Sequence, residues 1–459
     1  MDVLDLTRLQ FAVVTIYHYF FVPMSISLAA TAAGLQVAWL RTGRERYRDL
    51  TRFVGKLLIV TFAVGVVTGL VQEFQFGMGW SAFARFYGDV FGPTLAIEGM
   101  LAFFLEATFL ALWYFGWDRL PRALHAATIV IVAVGTVLSA FIILAANSFM
   151  QNPVAYSLDP VTGRARLDDF GALLFNEVNL AAFPHTLAGA AMAGGSLLLG
   201  IGVWRQRHGG EPAHRTLARL GAWLTVAGGA LTALTGDHLG KVITEVQPMK
   251  MAAAEALYAT TTGAPFSLFA VGSPGGGEPS FSIEIPRLLS ILAAGSPGAE
   301  VQGIDDLQAQ YAAQYGPGSY IPMIPVAFWS FRLMIGIGML AAALAAFYLW
   351  STRKGRPGHP LLPRVLPLVP ILPAAANSFG WIFTETARQP WLAFGISRVA
   401  DGISPGLTRA EVAASLIGFA VVYGILAAVW LRLIRHLSRQ PLAPRAAPVE
   451  AAQPPAPVY

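Results

Sequence analysis

A handful of polar residues set in apolar sequence carries whatever chemistry this chain performs. His18, Glu98, Glu106, His185, Arg332, Met334, Glu385 and Arg388 each lie in or at the end of a long apolar run. Hydrocarbon does not solvate charge, so an ionisable group in such a run is a functional candidate by default. Imidazole and thioether are iron ligands, and carboxylates can ligate or relay protons. The 459 residues include no cysteine. That excludes disulfides, thiolate zinc, cysteine-held iron–sulfur clusters and covalently attached c-type haem; any metal must be held by His, Met or carboxylate. On one regular helix, Glu98 and Glu106 stand about 80° apart round the axis and about 12 Å along it, and could line one side of a bundle interior. No single residue decides the matter. A lone intramembrane His serves equally as an interhelical hydrogen-bonding group, and a Met in an apolar helix is usually packing. Asp237 and His238 read as the end of a span, and His125, His208, His214, His359 and His436 as solvated residues at span ends or in basic loops.

The elements that must position these groups are membrane helices. The chain is 55% hydrophobic and 12% charged, about half the charge of a soluble domain, and its mean hydropathy is +0.57. A spanning helix needs about 20 mostly apolar residues. Nine runs meet this: Thr15–Trp39, Lys56–Phe74, Phe91–Phe115, Ala123–Phe149, Asn176–Trp204, Leu217–Leu239, Ile324–Trp350, Leu366–Phe383 (interrupted by Pro367, Pro370 and Pro373) and Ala413–Ile434. The fold class expected is an all-α polytopic membrane protein of about nine transmembrane helices, and the start, Met1 to Arg8, does not read as a signal peptide. Lys and Arg total 31 against 26 Asp and Glu, and their placement matters more than the sum. Basic residues crowd the loops after the first, third, fifth and seventh spans and the C-terminal tail, which puts the N-terminus outside and the C-terminus in the cytoplasm. The division expected is 1–239, six helices with His18, Glu98, Glu106 and His185; 240–322, an outer loop rich in Gly, Pro and Ser with a patch at Gly272–Pro279; 323–440, three helices with Met334 and Glu385; and 441–459, a disordered tail rich in Pro and Ala. No sequence repeat stands out.

Depth sharpens the pattern. His185 lies about 14 Å and Met334 about 15 Å from the outer ends of their spans. An imidazole and a thioether at matching depth are the donors of six-coordinate His/Met haem, which carries electrons. Three function classes fit these residues: a haem oxidase, a haem-b electron conduit without oxygen chemistry, and an ion-coupled transporter using Glu98, Glu106 and Arg332. Haem absorption bands separate the first two from the third, and oxygen uptake separates the first two from each other.

Four stretches resemble one family over nearly the whole chain: Arg8–Pro23 (RLQFAVVTIYHYFFVP), Asn147–Val154 (NSFMQNPV), Trp329–Gly336 (WSFRLMIG) and Gly380–Trp391 (GWIFTETARQPW). The chain is similar to subunit I of the cytochrome bd quinol oxidases, with Lys250 and Glu255 matching a Lys and Glu five apart that are associated with quinol oxidation. The resemblance implies His185 and Met334 as axial ligands of a low-spin haem b, with Arg332 near its propionates. It implies His18 and Glu385 as ligands of two high-spin haems, b and d, and Glu98 as a ligand or proton donor there. Glu106 with Ser139 would bring protons from the cytoplasm, Trp381 would lie in the electron path, and Arg388 belongs to the signature around Glu385. The implied activity is oxidation of quinol at the outer face and reduction of O2 to water with cytoplasmic protons, generating proton motive force. The implied setting is the bacterial plasma membrane, in contact with lipid and a subunit II, with a small single-span subunit in some members and no nucleic acid. Two departures stand out: Ala387 and Ala155 replace glycines usual at those positions. The outer loop matches the family's shorter version.

Overall fold

The computed structural model describes residues 2–273, 277–356 and 358–442. The tail beyond Leu442 and part of the Gly272–Pro279 patch lie outside the described residues. Among those described, nine helices are long and apolar enough to cross a membrane. They are α1 (Val3–Thr42), α2 (Glu45–Met78), α3 (Ser81–Gly99) continuing through a π-helical turn (Met100–Glu106) into α4 (Ala107–Phe115), α5 (Arg122–Gln151), and, after a short α6 (Phe170–Leu174), α7 (Glu177–Arg207) and α8 (Pro212–Val246). The loop that follows carries α9 (Pro248–Glu255), α10 (Leu288–Ala294) and α11 (Ile304–Tyr315); then come α12 (Ile324–Ser351), the broken pair α13 (Leu362–Val365) and α14 (Ile371–Thr386), and α15 (Arg409–Arg439). Strands are confined to two-stranded antiparallel pairs in the connections.

Every expected span is present, and most are longer than the apolar runs. Helix α1 has 40 residues, about 60 Å at 1.5 Å per residue, twice a hydrocarbon core of about 30 Å. Its ends therefore project into water, where capping fixes them: Asp2 accepts from the Asp5 amide at 2.8 Å, and Gly43 closes the helix at φ 65°. The last helix opens on a reciprocal Thr408/Glu411 cap. Pro367, Pro370 and Pro373 lack the amide hydrogens a continuous helix needs, and the eighth span is broken into α13, a 3-10 turn and α14.

Small residues set the closest helix contact. A methyl at Gly195, Gly202, Gly221 or Gly228 would come within 2.4–2.8 Å of backbone atoms of the facing helix in the α7–α8 pair. The four lie at seven-residue spacing, a small-residue seam of the kind that lets membrane helices approach closely.

Three expectations are corrected. His125 is buried, its Nδ1 2.6 Å from Gln36 Nε2 and its Nε2 2.8 Å from the Trp113 carbonyl. His214 is also fully buried and accepts from Arg205 Nε at 3.3 Å. Both sit where helices pack against one another at the basic end, so position near a span end did not mean solvation. Asp237 and His238 do not end the sixth span. Helix α8 runs on to Val246, carried through by an i,i+4 pair of Asp237 with Lys241 at 2.7 Å.

Candidate functional site

The two candidate histidines stand on the first helix of two tightly packed pairs, α1–α2 and α7–α8. His18 Nδ1 lies 3.0 Å from Thr68 Oγ1 on α2, and His185 Nδ1 lies 3.3 Å from Thr235 Oγ1 on α8. Met334, on α12, presses its sulfur against Gly380 of α14, where a Cβ would lie 2.8 Å from Sδ. The neighbour of each group closes a bridge. Tyr19 stacks on Trp381 with ring centroids 5.1 Å apart and 18° between planes. The aromatic pair thus joins the His18 helix to the helix that backs Met334, and the Trp381 indole nitrogen is buried with no hydrogen-bond partner.

Glu98 and Glu106 come onto one stripe of α5, by a route the sequence did not show. The π turn between them carries more residues per turn than an α-helix, so the 80° offset of a regular helix does not apply. Ser139 Oγ donates to Glu98 Oε1 at 3.2 Å, while a Cβ at Gly135, one turn away, would touch Glu106 Cγ at 3.0 Å. Ser139 thus hydrogen-bonds Glu98, one turn along α5 from the glycine that Glu106 faces. Glu106 is 3% exposed, and its Oε1 is buried with no hydrogen-bond partner among the described residues. Glu73 of α2 is a further carboxylate beside Glu98. Sequence reasoning passed over Glu73, although a carboxylate one residue short of that run's end met the same criterion as the others.

Glu385 and Lys250 are held by the same turn of α5. Asn147 Nδ2 donates to Glu385 Oε1 at 2.8 Å, and Arg388 Nη2 to Glu385 Oε2 at 2.6 Å. A carboxylate offers about four lone-pair sites, so both oxygens keep capacity for a metal. One turn on, Gln151 Oε1 accepts from Lys250 Nζ at 2.9 Å, and the Thr384 carbonyl accepts from the same nitrogen at 3.0 Å. The Asn147–Val154 stretch is thus a clamp, a role its sequence did not disclose. Arg8 of the first stretch hydrogen-bonds Gln389 of the fourth. Ala387 has ordinary helical angles, φ −75° and ψ −10°, so the methyl leaves Arg388 in reach of Glu385.

Lys250 and Glu255 do not face one cleft. Five residues on a helix turn the chain by about 140°, and α9 points the two side chains apart. Lys250 lines a small pocket of about 10 Å³ with Tyr311, Tyr320, Arg388, Trp391 and Phe394. Glu255 is absent from that lining and is ion-paired with Arg332 Nη2 at 2.6 Å. Arg332 also donates through Nε to the Ser267 carbonyl at 2.7 Å and through Nη1 to the Ala254 carbonyl, and lies over the Phe328 ring at 4.0 Å. Its guanidinium ties the long loop to α12. Burial lowers the Lys250 ammonium to about 7, with Glu385 acting the other way. Burial raises the Glu255 carboxyl to about 7 against the pull of Arg332, and burial raises the Tyr311 phenol to about 12.

The donor set suits iron already held by a porphyrin. Among the described residues no three His, Asp or Glu side chains converge as a bare metal site needs. The donors stand singly: imidazoles, a thioether and a carboxylate, each beside a glycine or a polar group that orients it. The fold is that of an integral membrane protein, and its donors are of the residue types that ligate haem iron. Residues 6–442 match the family described as cytochrome bd terminal oxidase subunit I. The chain is 41% identical to the cytochrome bd ubiquinol oxidase subunit 1 of Bacillus subtilis over 444 residues, covering 96% of this chain and 94% of that one. It is 33% identical over 501 residues to the cytochrome bd-II ubiquinol oxidase subunit 1 of Escherichia coli, covering 95% and 96%. Among solved structures it resembles the bd oxidase from Geobacillus thermodenitrificans, with TM-score 0.85, 28% identity, and 95% and 98% of the two chains covered. The chain belongs to the cytochrome bd terminal oxidase subunit I family. It is a multi-pass bacterial membrane protein, a subunit of a haem-containing terminal quinol oxidase, and an oxidoreductase between quinol and oxygen.

Proposed function

We propose that His185 and Met334 ligate a low-spin haem b and that His18 and Glu385 ligate two high-spin haems, b and d, with Glu98 beside them. When bound, the haems supply one-electron transfer and the reduction of oxygen to water. The chain's own residues do the rest. Lys250 faces the aromatic-lined cavity, and its ammonium, near neutrality at physiological pH, can hold a quinol oxygen or take its proton. Glu255 sits behind it, sets Arg332, and through its unpartnered Oε1 has room for a proton. Trp381 and Tyr19 fill the gap between the low-spin and high-spin sites. The residues divide as 1–239 with His18, Glu98, Glu106 and His185, 240–322 for quinol, and 323–440 with Met334 and Glu385.

Sidedness conserves the energy. The crowding of basic residues into alternate loops supports an N-terminus outside and a C-terminus in the cytoplasm, and on that reading quinol protons leave on the outer face. Glu106, then Glu98 with Ser139, carry protons inward from the cytoplasm along one stripe of α5. Each charge moved across the membrane is worth about 2.3 kcal/mol per 100 mV. The partners proposed are quinol, O2, subunit II and, where one is present, a small single-span subunit.

The observation that carries this reading is the Asn147/Gln151 clamp, which ties the Lys250 cavity to Glu385 through one helical turn. The transporter reading needs Glu98, Glu106 and Arg332 at one site. Instead Arg332 bonds the loop, while the glutamates face Ser139 and Gly135. The test is a reduced-minus-oxidised spectrum of the complex purified with its partner, with haem extraction and quinol-driven oxygen uptake. Both b- and d-type bands with uptake are expected; a colourless preparation, or bands without uptake, rejects the reading.

A further inference from the structure

His18 and His185 are supported by one construction used twice. Thr68 Oγ1 donates backwards to the Val64 carbonyl at 2.9 Å, and Thr235 Oγ1 donates to the Leu231 carbonyl at 2.7 Å. A hydroxyl has a single proton. Toward the imidazole each threonine therefore accepts, and Nδ1 of each ring carries the hydrogen. The residue after each threonine is glycine. A Cβ at Gly69 would stand 3.1 Å from His18 Cε1, and one at Gly236 would stand 3.1 Å from His185 Cε1. The correspondence has a fixed offset: residues 18 and 185 differ by 167, as do 68 and 235, and 69 and 236. Besides these, only scattered identities fall at that offset, chiefly Arg48/Arg215, Leu50/Leu217, Arg52/Arg219, Leu57/Leu224 and Ala63/Ala230 in the second helices, too few for the sequence to read as the repeat the geometry shows.

We propose that Thr68–Gly69 and Thr235–Gly236 are positioning steps for the two imidazoles. The threonine fixes the tautomer and the plane of the ring, the glycine leaves its edge clear, and Nε2 is presented to the iron. The proposal rests on the reading of both histidines as haem ligands. A hydrogen-bonded Nδ1–H makes an imidazole a more basic ligand, which favours ferric over ferrous iron. The two steps therefore set reduction potential as well as geometry.

The test uses the intact oxidase carrying Thr235→Val or Thr68→Val, with Thr→Ser at each position as the conservative rescue. Haem content, redox titration and the electron paramagnetic resonance of the ferric enzyme are the readouts. At wild-type haem content, the valine variants shift the midpoint of the haem at that histidine upward and alter its resonance, and the serine variants restore both. A midpoint and resonance unchanged in the valine variants overturn the proposal. Should a valine variant fail to accumulate, the unaltered protein decides. With 15N-labelled histidine, hyperfine spectroscopy must find an exchangeable proton on the remote ring nitrogen, and a bare nitrogen there overturns the proposal. The ligand reading fails separately: His185→Ala retaining the low-spin spectrum would remove that reading, whereas loss of the haem with inert threonine variants removes only the positioning role.

Discussion

Asn147 donates to Glu385 across 2.8 Å, between residues 238 positions apart in sequence. The bond fixes one oxygen of a carboxylate whose other oxygen is taken by Arg388 at 2.6 Å. A hydrogen bond to a charged group contributes roughly 1.5–3 kcal/mol. Asn147→Leu should therefore weaken haem retention at Glu385 by roughly ten- to a hundredfold. The expected result is a lower high-spin absorption with the low-spin band unchanged, read from reduced-minus-oxidised spectra at matched protein. Equal loss of both bands would mean that Asn147 supports the fold and not that site.

Lys250 gives a pH signature. Burial lowers its folded pKa to about 7 from an ordinary 10.5. Between those values the unfolded chain binds more protons than the folded one, so stability rises with pH across that window, and below 7 the group adds no slope. The ceiling is about 1.4 kcal/mol per pH unit. Lys250→Met should flatten the climb of thermal midpoint between pH 7 and 10. Because it also deletes the donor lining the cavity, it should raise quinol KM roughly tenfold or more. Parallel wild-type and variant melting curves over this range would contradict the burial.

Glu73 of α2 is a second carboxylate beside Glu98, and a carboxyl can pass a proton to a carboxylate it neighbours. Glu73→Gln keeps a donor toward Glu98 while removing the acid. Oxygen uptake is expected to fall roughly a hundredfold with haem spectra intact. Ser139→Ala removes one neutral donor, about 1 kcal/mol, and should slow uptake only about fivefold. Loss of haem in Glu73→Gln would assign this glutamate to the haem pocket instead of the proton route.

Ala155 holds φ at 52°, in the left-handed region where a side chain strains the backbone by roughly 1–2 kcal/mol. The usual glycine of the resembling family has no such penalty. Ala155→Gly should raise the thermal midpoint of the purified complex at unchanged turnover; a lower midpoint would show that the methyl packs usefully.

The span count was legible because hydropathy is a property of each run by itself. His18, His185, Met334 and Glu385 stood out as candidates because a polar group in an apolar run has few innocent explanations. What remained hidden depends on helices distant in sequence. Gln151 reaches Lys250 over 99 positions, and only the packed bundle reveals Thr68 and Thr235 as partners of histidines. The Glu98–Glu106 geometry was misread because the π turn leaves no mark in residue type. His125 and His214 were misread because the loop ends of helices also pack. Lys250 and Glu255 were grouped by spacing, and the helix that carries them turns them apart.

Gly380 makes the space for Met334. A Cβ there would stand 2.8 Å from the thioether sulfur, well inside contact distance, and the sulfur belongs to a helix that cannot retreat without breaking the Arg332–Glu255 pair two residues away. Gly380→Ala should therefore push the sulfur off its line, and the low-spin haem should lose its six-coordinate spectrum and begin to bind carbon monoxide, as Met334→Leu should also cause. Gly338 supplies the control. It lies one turn further along α12, and a Cβ there meets only Ala376 at an ordinary 3.9 Å, so Gly338→Ala should leave the spectrum as it is. If both alanine variants behave alike, crowding along α12 explains the change; a difference confined to Gly380 ties the spectrum to the position of one sulfur atom.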